Sequence, residues 1–540
     1  CPQGNTNIAQ NGRKADRKAR PGMTARQPQL NENRQKEGYY MNKKVILIMT
    51  DTQRTDMLGC YGAGDMRTPN LDRLAGEGIR FDQAYTTQPV CQPARSAIFT
   101  GSYPHSCAGG SNCMGLSDNV QNIGRRLTDH GVHAAYIGKW HLDGGDYFGL
   151  GRCADGWDPD YWYDMRNYLD ELTPEERYLS RQTESMEKYD IREEFTYGHR
   201  CSDRAIDFLK NHSNRDQDYL LVVSYDEPHG PFLCPRRFWE PYENHEFHRK
   251  ANLLDTLENK PEHHRLWAGD DYMAATRPGF SMNFKYYLGC NTFVDHEIGR
   301  VLDAIDTYAE DAVVIYTSDH GDMLYSHSLT QKGPAMYEEI THIPLIIKGF
   351  GKGLADPHPV SHINLAPTIF DVFGIPKAKT FEGGSIYQEL LTGQRTNDYV
   401  FMEFGRYEVD HDGFGGYQPI RCAYDGRFKL VINLMGTDEF YDLREDPQEM
   451  ENLIQDPSLR THRERLHQAL LDNMYDTRDP FRGYYWEDRP WNRIREYRTW
   501  DSRLMTRQRE NEEYEPRQLD YGTGLPITKA VRKKGGCVSR

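Results

Sequence analysis

Short apolar runs rich in β-branched residues recur along the first two thirds of the chain, and most of them are followed by polar residues. The runs are KVILIMT (44–50), VHAAYIG (132–138), YLLVVSY (219–225), AVVIYTS (312–318) and IPLIIKG (343–349). A run of this length, bounded by polar segments, is typical of a strand buried on both faces of a sheet. We therefore predict a buried sheet built from these runs.

Amphipathic segments lie between the predicted strands. They are NLDRLAGEGI (70–79), PARSAIFTG (93–101), VQNIGRRLTDHG (120–131), residues 283–308 and NLAPTIFDVFG (364–374). PARSAIFTG opens with Pro and closes with Gly, the order that helices prefer at their start and end. Strands that alternate with helices predict an α/β fold, in which a large, mostly parallel sheet is covered by helices on both faces.

The pattern changes near residue 395, where short strand-like pieces follow one another with turns between them. YVFMEF, IRCAYDG, RFKLVINL and EFYDL predict a smaller antiparallel sheet, with a helix near residues 456–473. We divide the chain into residues 1–42, a disordered basic extension; 43–394, the α/β domain; 395–500, the antiparallel sheet with its helix; and 501–540, a polar tail.

Composition narrows the classes of function. The 540 residues are 37% hydrophobic and 27% charged, with a formal net charge of −15. Residues 1–44 carry ten Lys and Arg against three Asp and Glu, so the remainder carries −22. An acidic body argues against binding to nucleic acid. The sequence has no run of about 18 apolar residues, which a membrane span requires.

The first residues and the cysteines bear on location. Residues 1–40 are polar and basic, without the apolar core of a signal peptide, and Met41 resembles a natural start. The 11 cysteines are an odd number without a CxxC pair, which suits a reducing compartment. These features favour a cytoplasmic protein. A periplasmic location stays open, as does a lipoprotein in which Cys1 is the lipidated first residue.

Three of the predicted strands end at chemically active residues. Asp51 follows the first run, segment 226–229 follows the third, and Asp319 and His320 follow the fourth. In a parallel sheet these ends meet at one edge, where ligands bind. Asp51, Asp319 and His320 are therefore predicted to bind one divalent cation. Carboxylates suit Ca²⁺ or Mg²⁺, and the histidine leaves Mn²⁺ open.

Basic residues are predicted at the same edge. GKWHL supplies Lys139 and His141 directly after a strand, and EPHGPF supplies His229. Lys332 lies in LTQKGPAMYEE, and Arg95 lies in the PARSAIFTG helix. Each of these alone is more often a capping or surface residue. Together they predict a positively charged pocket suited to a tetrahedral oxyanion.

Cys91 opens the motif CQPARSAIFTG, in which a proline and an arginine follow at fixed spacing. This C-x-P-x-R motif, followed in order by GKWHL, PHGPF, TSDHGD, Lys332 and EFYDLREDPQEMENL, resembles the formylglycine-dependent (type I) sulfatases of the alkaline-phosphatase-like superfamily. The resemblance covers residues 44–453. It implies an alkaline-phosphatase-like fold and a sulfuric ester hydrolase.

The resemblance also implies how the site is completed. Cys91 is oxidised to Cα-formylglycine by a formylglycine-generating or anaerobic sulfatase-maturing enzyme, which reads the proline and Arg95. The aldehyde hydrates to a geminal diol beside the metal. Residue 91 thereby joins Asp51, Asp319 and His320 as a metal ligand.

Roles for the remaining residues follow from the same resemblance. One hydroxyl of the diol attacks sulfur, and His229 or Lys332 protonates the leaving alcohol. His141 then takes the proton of the second hydroxyl, and sulfate is expelled. The metal, Lys139, Lys332 and Arg95 stabilise charge on the sulfuryl oxygens.

One position departs from the family. Many members carry Asp, Asn or Gln directly after the first metal-binding Asp, but this chain has Thr52 followed by Gln53. Threonine is a weak ligand, so a side-chain ligand from this position is in doubt, and water or Gln53 is left as the candidate to fill it.

Three other interpretations stay open. A phosphonate monoester or phosphodiester hydrolase of the same superfamily would carry the same motifs. A carbohydrate-binding homologue would keep the fold and lack the chemistry, although every matched catalytic position is filled. A cysteine hydrolase would use Cys91 at a helix N-terminus with His141 or His229 as its base, but would leave the acidic strand ends without a role.

The substrate is predicted to be a sulfated saccharide, glycosaminoglycan-like or of another kind, with O-sulfated or N-sulfated glucosamine attacked from the chain end. Residues 144–194, rich in Trp, Tyr and Asp, are predicted to form a pocket wall. The loop GRYEVDHDGFGGY carries Arg406, His411, Asp412 and Tyr417, which suit a sugar ring. The alternative is that this loop only packs the C-terminal sheet on the core.

Overall fold

The computed structural model describes residues 43–112, 114–144, 146–395, 398–408 and 417–493. Its strands are β1 (Lys44–Thr50), β2 (Gly78–Phe81), β3 (Ala84–Tyr85), β4 (His133–Gly138), β5 (Tyr219–Ser224), β6 (Val313–Ser318), β7 (His342–Ile343), β8 (Leu345–Lys348), β9 (Leu354–Asp356), β10 (Val360–Ser361), β11 (Val400–Phe404), β12 (Ile420–Tyr424), β13 (Phe428–Asn433) and β14 (Glu439–Asp442).

Its α-helices are α1 (Pro69–Glu77), α2 (Cys91–Thr100), α3 (Pro104–Cys107), α4 (Ile123–Thr128), α5 (Met165–Glu171), α6 (Pro174–Ser180), α7 (Ser185–Lys188), α8 (Tyr197–His212), α9 (Arg236–Trp239), α10 (Glu262–Ala268), α11 (Lys285–Tyr308), α12 (Glu338–Thr341), α13 (Leu365–Phe373), α14 (Ile386–Thr392), α15 (Arg460–Asp476) and α16 (Tyr484–Glu487). Within the described ranges, no helix has the length and apolar character needed to cross a membrane.

The largest sheet has seven strands in the order β4-β5-β1-β6-β8-β2-β9. The first four strands of this order run parallel to one another. β8 is antiparallel to both β6 and β2, while β2 is parallel to β9. The sheet is therefore mostly parallel, as predicted. An apolar run carries no information about strand direction, so the reversal of β8 did not follow from its sequence.

Helices cover both faces of this sheet. Ile46 and Ile48 of β1 pack into a core that includes residues of α1, α8 and α11. Val45, Leu47 and Met49 pack into a second core, with residues of α2, α4 and α13. Because successive side chains of a strand point to opposite faces, one unbroken apolar run supplies both cores. The α/β class is confirmed.

A separate four-stranded sheet lies in the C-terminal part, in the order β11-β12-β13-β14, with all neighbours antiparallel. α15 packs against it, where Leu466, Leu470 and Met474 share a core with Leu430 and Ile432. The predicted antiparallel sheet with its helix is thus observed. A short third sheet, β10-β3-β7, completes the strand pairing of the described residues.

α2 contains residues 93–100 of the predicted segment 93–101 and places Cys91 at its start. It starts at Cys91, two residues before Pro93, and is followed by Gly101, whose φ of 67° is left-handed. A proline is tolerated in the first turn of a helix, because the backbone N–H groups there have no partner within the helix. Cys91 is consequently part of the helix and is held by its first turn.

Candidate active site

Four neighbouring parallel strands end at one edge of the large sheet. The polar residues that follow them are residues 139–141 after β4, residues 226–229 after β5, Asp51 after β1 and residues 319–320 after β6. The first turn of α2 reaches the same edge with Cys91. The convergence predicted from the sequence is therefore observed.

Four buried side chains, Asp51, Cys91, Asp319 and His320, meet at this edge, and we name them the ligand cluster. One potential ligand atom of each lies within 4.8 Å of the others. Sγ of Cys91 is 3.1 Å from Nε2 of His320 and 3.7 Å from Oδ1 of Asp51. Carboxylate and imidazole groups at this spacing are suited to binding a divalent cation.

The charges of the ligand cluster also favour a cation. Asp51 and Asp319 are both fully buried, and burial together with Asp51 raises the pKa of Asp319 to about 7. Nδ1 of His320 donates to the carbonyl oxygen of Gly321 over 2.8 Å, so Nε2 is left to face the cluster. Although burial lowers it, Asp319 and Cys91 raise the pKa of His320 to about 9. A positive charge at Nε2, whether a proton or a metal ion, is therefore favoured.

Two buried cations hold the carboxylates in place. Nε of Arg95 lies 3.0 Å from Asp319, and its Nη2 lies 3.2 Å from Asp51. Nζ of Lys139 lies 2.7 Å from the same oxygen of Asp51. Nη1 of Arg95 donates to the carbonyl oxygen of Lys139 and to the hydroxyl of Ser224. In this arrangement Arg95 positions the ligand cluster, because its donors are engaged by the protein.

The Cys91 thiol lies in a positively charged environment. Burial and Asp51 oppose its ionisation, but nearby cations, of which Lys332 contributes most, hold the pKa of the thiol well below its usual range. The residue is only 1% exposed. The same field would stabilise negative charge on an oxyanion bound at this position.

Tyr147 connects the outer residues of the site. Its hydroxyl donates to Oδ1 of Asp226 over 2.5 Å and accepts from Nζ of Lys139 over 2.9 Å. It also lies 3.1 Å from Nδ1 of His229, and Nε2 of His229 lies 3.1 Å from Nζ of Lys332. One hydrogen-bonded network thus links the residues that follow β4 and β5 to the loop that carries Lys332.

His141 contacts the Cys91 thiol through its side chain. Burial lowers the pKa of His141, which keeps the imidazole neutral and able to accept a proton. Its φ of 55° is left-handed. Such strained conformations of residues other than glycine cluster at functional sites. Nδ1 of His141 is buried and has no hydrogen-bond partner among the described residues.

Thr52 and Gln53, the two residues that depart from the family pattern, contact different parts of the protein. Oγ1 of Thr52 donates to Oδ1 of Asp51 over 2.7 Å, so the threonine lies beside the ligand cluster. The side chain of Gln53 instead hydrogen-bonds to Tyr316 and, over 2.9 Å, to Asn291. Gln53 is therefore engaged elsewhere, which leaves water as the stronger candidate for a further ligand.

Comparison with known families decides what kind of protein carries this site. The sequence profile of the sulfatase family matches residues 43–375, and that of the C-terminal region of N-sulphoglucosamine sulphohydrolase matches residues 327–476. This chain belongs to the sulfatase family. The predicted sulfuric ester hydrolase is thereby confirmed.

The sulfatase has relatives along nearly its whole length. It is 45% identical over 494 residues to uncharacterized sulfatase YidJ of Escherichia coli (strain K12), with 89% of this chain and 96% of that protein covered.

Two solved structures show the shared fold at 22% identity. One, bound to its substrate D-glucosamine-2-N,6-O-disulfate, has a TM-score of 0.67 and covers 82% of this chain and 99% of its own. The other, the phosphonate monoester hydrolase of Agrobacterium radiobacter, has a TM-score of 0.64 and covers 81% of this chain and 96% of its own.

The structure places all of the residues predicted for the sulfatase site at one sheet edge. They are Asp51, Cys91, Arg95, Lys139, His141, His229, Asp319, His320 and Lys332. Their individual roles remain predictions. The metal and formylglycine are expected of the family, and the donor set of the ligand cluster fits both.

Sequence reasoning missed two residues of the site. Tyr147 belongs to a segment without periodicity, in a chain with 35 tyrosines, and no motif marks it. The sequence places Asp226 only within the strand-end segment 226–229, and its acidic side chain close after a buried strand is the signal that identifies it. In the loop GRYEVDHDGFGGY, His411 and Asp412 lie outside the described residues. The predicted contact of that loop with a sugar stays a prediction.

Proposed function

We propose that this sulfatase removes O-sulfate or N-sulfate from a glycosaminoglycan-like or other sulfated saccharide and acts from the chain end. One observation carries the proposal: the buried Cys91 thiol lies within the ligand cluster, 3.1 Å from His320, and in the field of Lys139 and Lys332. A nucleophile position, a set of cation ligands and two buried lysines thus coincide, which is the arrangement that transfer of an anionic group requires.

A divalent cation and Cα-formylglycine at position 91 would complete this site. Asp51, Asp319 and His320 would hold the cation, with Arg95 keeping both carboxylates in place. The carboxylates favour Ca²⁺, with Mg²⁺ or Mn²⁺ as alternatives. When present, formylglycine supplies a hydrated aldehyde as nucleophile, and the cation supplies charge stabilisation. The proposed partner is a formylglycine-generating or anaerobic sulfatase-maturing enzyme.

The proton transfers are assigned to side chains at stated atoms. Lys332 and His229, with Nζ and Nε2 3.1 Å apart, are the proposed proton donors to the leaving oxygen. Burial lowers the pKa of Lys332, but Cys91 and other negative groups raise it above its usual range, so the pair retains a proton at neutral pH. Neutral His141 is the proposed acceptor of a proton from residue 91. Lys139 is proposed to stabilise the sulfuryl oxygens.

The choice of a saccharide rests on the relatives and on the outer side of the site. The matched C-terminal family is that of an enzyme named for N-sulphoglucosamine, and the solved relative binds a disulfated glucosamine. Tyr147 and Phe148 of the segment 144–194 lie on the outer side, where their rings contact each other at 5.3 Å. Aromatic rings beside polar groups suit the faces and hydroxyls of a sugar.

A phosphonate monoester or phosphodiester hydrolase is the second candidate. The structural similarity to the enzyme of Agrobacterium radiobacter favours it. Both activities would use the same ligand cluster and the same lysines, so geometry alone does not separate them.

The test is a substrate panel on protein produced together with a maturing enzyme. It includes N-acetylglucosamine 6-O-sulfate, N-sulfoglucosamine, an aryl sulfate, a phosphonate monoester and a phosphodiester. We expect kcat/KM for a saccharide sulfate to exceed that for the phosphorus esters by about 100-fold or more. The opposite ranking would support the second candidate. Binding of saccharide without turnover of any ester, in protein whose Cys91 is fully converted, would reject both.

A further inference from the structure

Arg181 lies at the C-terminal end of α6, within the segment 144–194, and its guanidinium is only weakly engaged by the protein. Its closest carboxylate among the described residues is Asp226, at 3.8 Å, and it donates one long hydrogen bond of 3.4 Å to the carbonyl oxygen of Gly230. By contrast, Arg200 and Arg204 lie 2.7 and 2.8 Å from Glu171. Arg181 therefore has donors to spare for a ligand.

The carboxylate closest to Arg181, that of Asp226, also accepts hydrogen bonds from Tyr147 and Lys139, which lie deeper in the site. Oδ1 of Asp226 accepts from Tyr147 over 2.5 Å and from Lys139 over 3.1 Å. Only Oδ2 faces Arg181, beyond hydrogen-bonding distance. Asp226 thus mainly balances Lys139, and the charge of Arg181 is left partly uncompensated.

Packing holds Arg181 in place at the outer side of the site. Its guanidinium carbon lies 5.8 Å from the ring centre of Tyr147 and 5.2 Å from that of Phe148. The side chain is 25% exposed. Two residues further on, the hydroxyl of Thr183 donates to the carbonyl oxygen of Pro231 over 3.2 Å and fastens the turn. A guanidinium held against aromatic rings, with its edge open to solvent, is preorganised to bind an anion.

The position of Arg181 indicates which part of a substrate it would meet. Gly230, to which it donates, directly follows His229, a proposed proton donor to the leaving oxygen. Tyr147 lies between Arg181 and that histidine. The guanidinium is therefore on the leaving-group side, separated by one aromatic ring from the residues assigned to proton transfer.

We propose that Arg181 forms a subsite for a second anionic group, a sulfate or a carboxylate, carried by the saccharide that leaves. This inference rests on the proposed function and specifies its substrate further: the preferred saccharide carries a second negative charge near the sulfate that is removed. The planar guanidinium would donate two hydrogen bonds to that group.

The experiment compares pairs of substrates that differ in one anionic group. N-acetylglucosamine 6-O-sulfate is compared with glucosamine-2-N,6-O-disulfate, and a sulfated disaccharide with a uronate is compared with its carboxyl-reduced form. We expect the native enzyme to prefer the more anionic member of one pair by about 10- to 100-fold in kcat/KM, the range for a charged hydrogen bond. The pair that shows the preference identifies sulfate or carboxylate as the ligand.

Substitutions attribute the preference to Arg181. Arg181→Ala should abolish the preference by lowering kcat/KM only for the more anionic substrate, while kcat/KM for the less anionic one changes by less than about threefold. Arg181→Lys should have an intermediate effect, because lysine keeps the positive charge but cannot donate two parallel hydrogen bonds. Arg177→Ala is the matched control, one helical turn earlier on α6, where the side chain is 44% exposed and lies 3.4 Å from Asp170. It should leave both rates unchanged.

Two outcomes would overturn the inference: an equal loss on both members of a pair in Arg181→Ala, or a native enzyme without preference. If the enzyme hydrolyses no sulfate ester, the affinities of the same substrate pairs for the Cys91→Ala variant, measured by calorimetry, still test whether Arg181 forms the subsite. If the more anionic member of a pair binds more tightly, and this difference is lost without Arg181, the subsite is supported and only the proposed function is rejected. Equal affinities reject the subsite as well.

Discussion

Two of the buried charge clusters among the described residues of this sulfatase differ in what their charged groups face. In the ligand cluster, two carboxylates, a thiol and an imidazole face a common space. The second, which we name the junction cluster, consists of His105, Glu403, Arg421 and Asp479 and joins α3 to the C-terminal sheet. Three of its residues also lie as close together as metal ligands do, but Arg421 supplies the positive charge there, 2.5 Å from Asp479.

The comparison separates two uses of buried charge. A buried ion pair whose partners contact each other directly mainly holds elements together, and removal of one partner is strongly destabilising. The carboxylates of the ligand cluster also pair directly with Arg95 and Lys139, but together with the thiol and His320 they face a common space, and such groups of residues with shifted pKa values are the pattern found at functional sites. Substitutions in the ligand cluster should therefore affect activity, whereas those in the junction cluster should affect stability.

The largest effect is expected at Cys91. Cys91→Ala should lower kcat by about 10⁴-fold or more, because it removes the residue that is proposed to form the covalent bond with sulfate. The melting temperature should stay close to that of the native protein. Cys153→Ser serves as the control, since that partly buried thiol contacts the carbonyl oxygens of Ala154 and Trp157 and, where the structure describes the chain, no residue of the site. Equal activity in both variants would contradict the assignment of Cys91.

Loss of one carboxylate should come next. Asp319→Asn should lower kcat by about 10³-fold, the scale of several kcal/mol that a bound metal contributes, and should reduce the bound metal measured by mass spectrometry of the elements. Treatment of the native enzyme with a chelator should have the same effect, and added Ca²⁺ should reverse it. A chelated enzyme with full activity would exclude a catalytic metal.

The junction cluster should respond in the opposite way. Asp479→Asn leaves the guanidinium of Arg421 buried without its closest partner and should lower the free energy of unfolding by about 3–5 kcal/mol. kcat of the folded fraction should be unchanged. Asp129→Asn is the control, because the pair of Asp129 with Arg125 is 45% and 43% exposed and should contribute less than about 1 kcal/mol. If the Asp479→Asn variant had normal stability and a reduced kcat, the junction cluster would not be purely structural, and the proposed difference between the two clusters would be wrong.

The smallest effect concerns the pH dependence of stability. Burial lowers the pKa of His105, but Glu403 outweighs it and raises the pKa above its usual value. A raised histidine pKa stabilises the folded state fully below the unfolded value of about 6.5, and this stabilisation is lost as pH rises through the folded pKa.

Urea unfolding of native protein and His105→Gln measures this contribution. The stability difference between them should shrink from about pH 6 to pH 9, by about 1.4 kcal/mol for each unit by which the pKa is raised. A difference that grows with pH would show that His105 is not stabilised in its charged form.

Much of the fold could be predicted because buried strands leave a simple mark. A run such as KVILIMT supplies two cores at once, so its five central residues, 45–49, are all apolar and the run is visible in the sequence. The position of Cys91 at a helix start was also predicted, whereas an apolar run does not show strand direction, which is why the reversal of β8 was found only in the structure.

The site was predictable where a motif carried it and not elsewhere. Asp51, Cys91 and Asp319 lie at strand or helix ends with characteristic neighbours. Tyr147 and Arg181 come from a segment whose course over the sheet edge is set by tertiary contacts, so their partners are far apart in the sequence. The residues that we propose for substrate choice are therefore the ones that sequence patterns identify least well.

The most direct test of the account is the mass of the tryptic peptide that contains Cys91, from protein produced together with a maturing enzyme. We predict that the thiol is replaced by an aldehyde, that the aldehyde reacts with a hydrazide reagent, and that sulfatase activity rises in proportion to the converted fraction. A control sulfatase treated in parallel shows that the maturing enzyme is active. A peptide that keeps its thiol while the control is converted, or activity that does not follow conversion, would contradict the central claim.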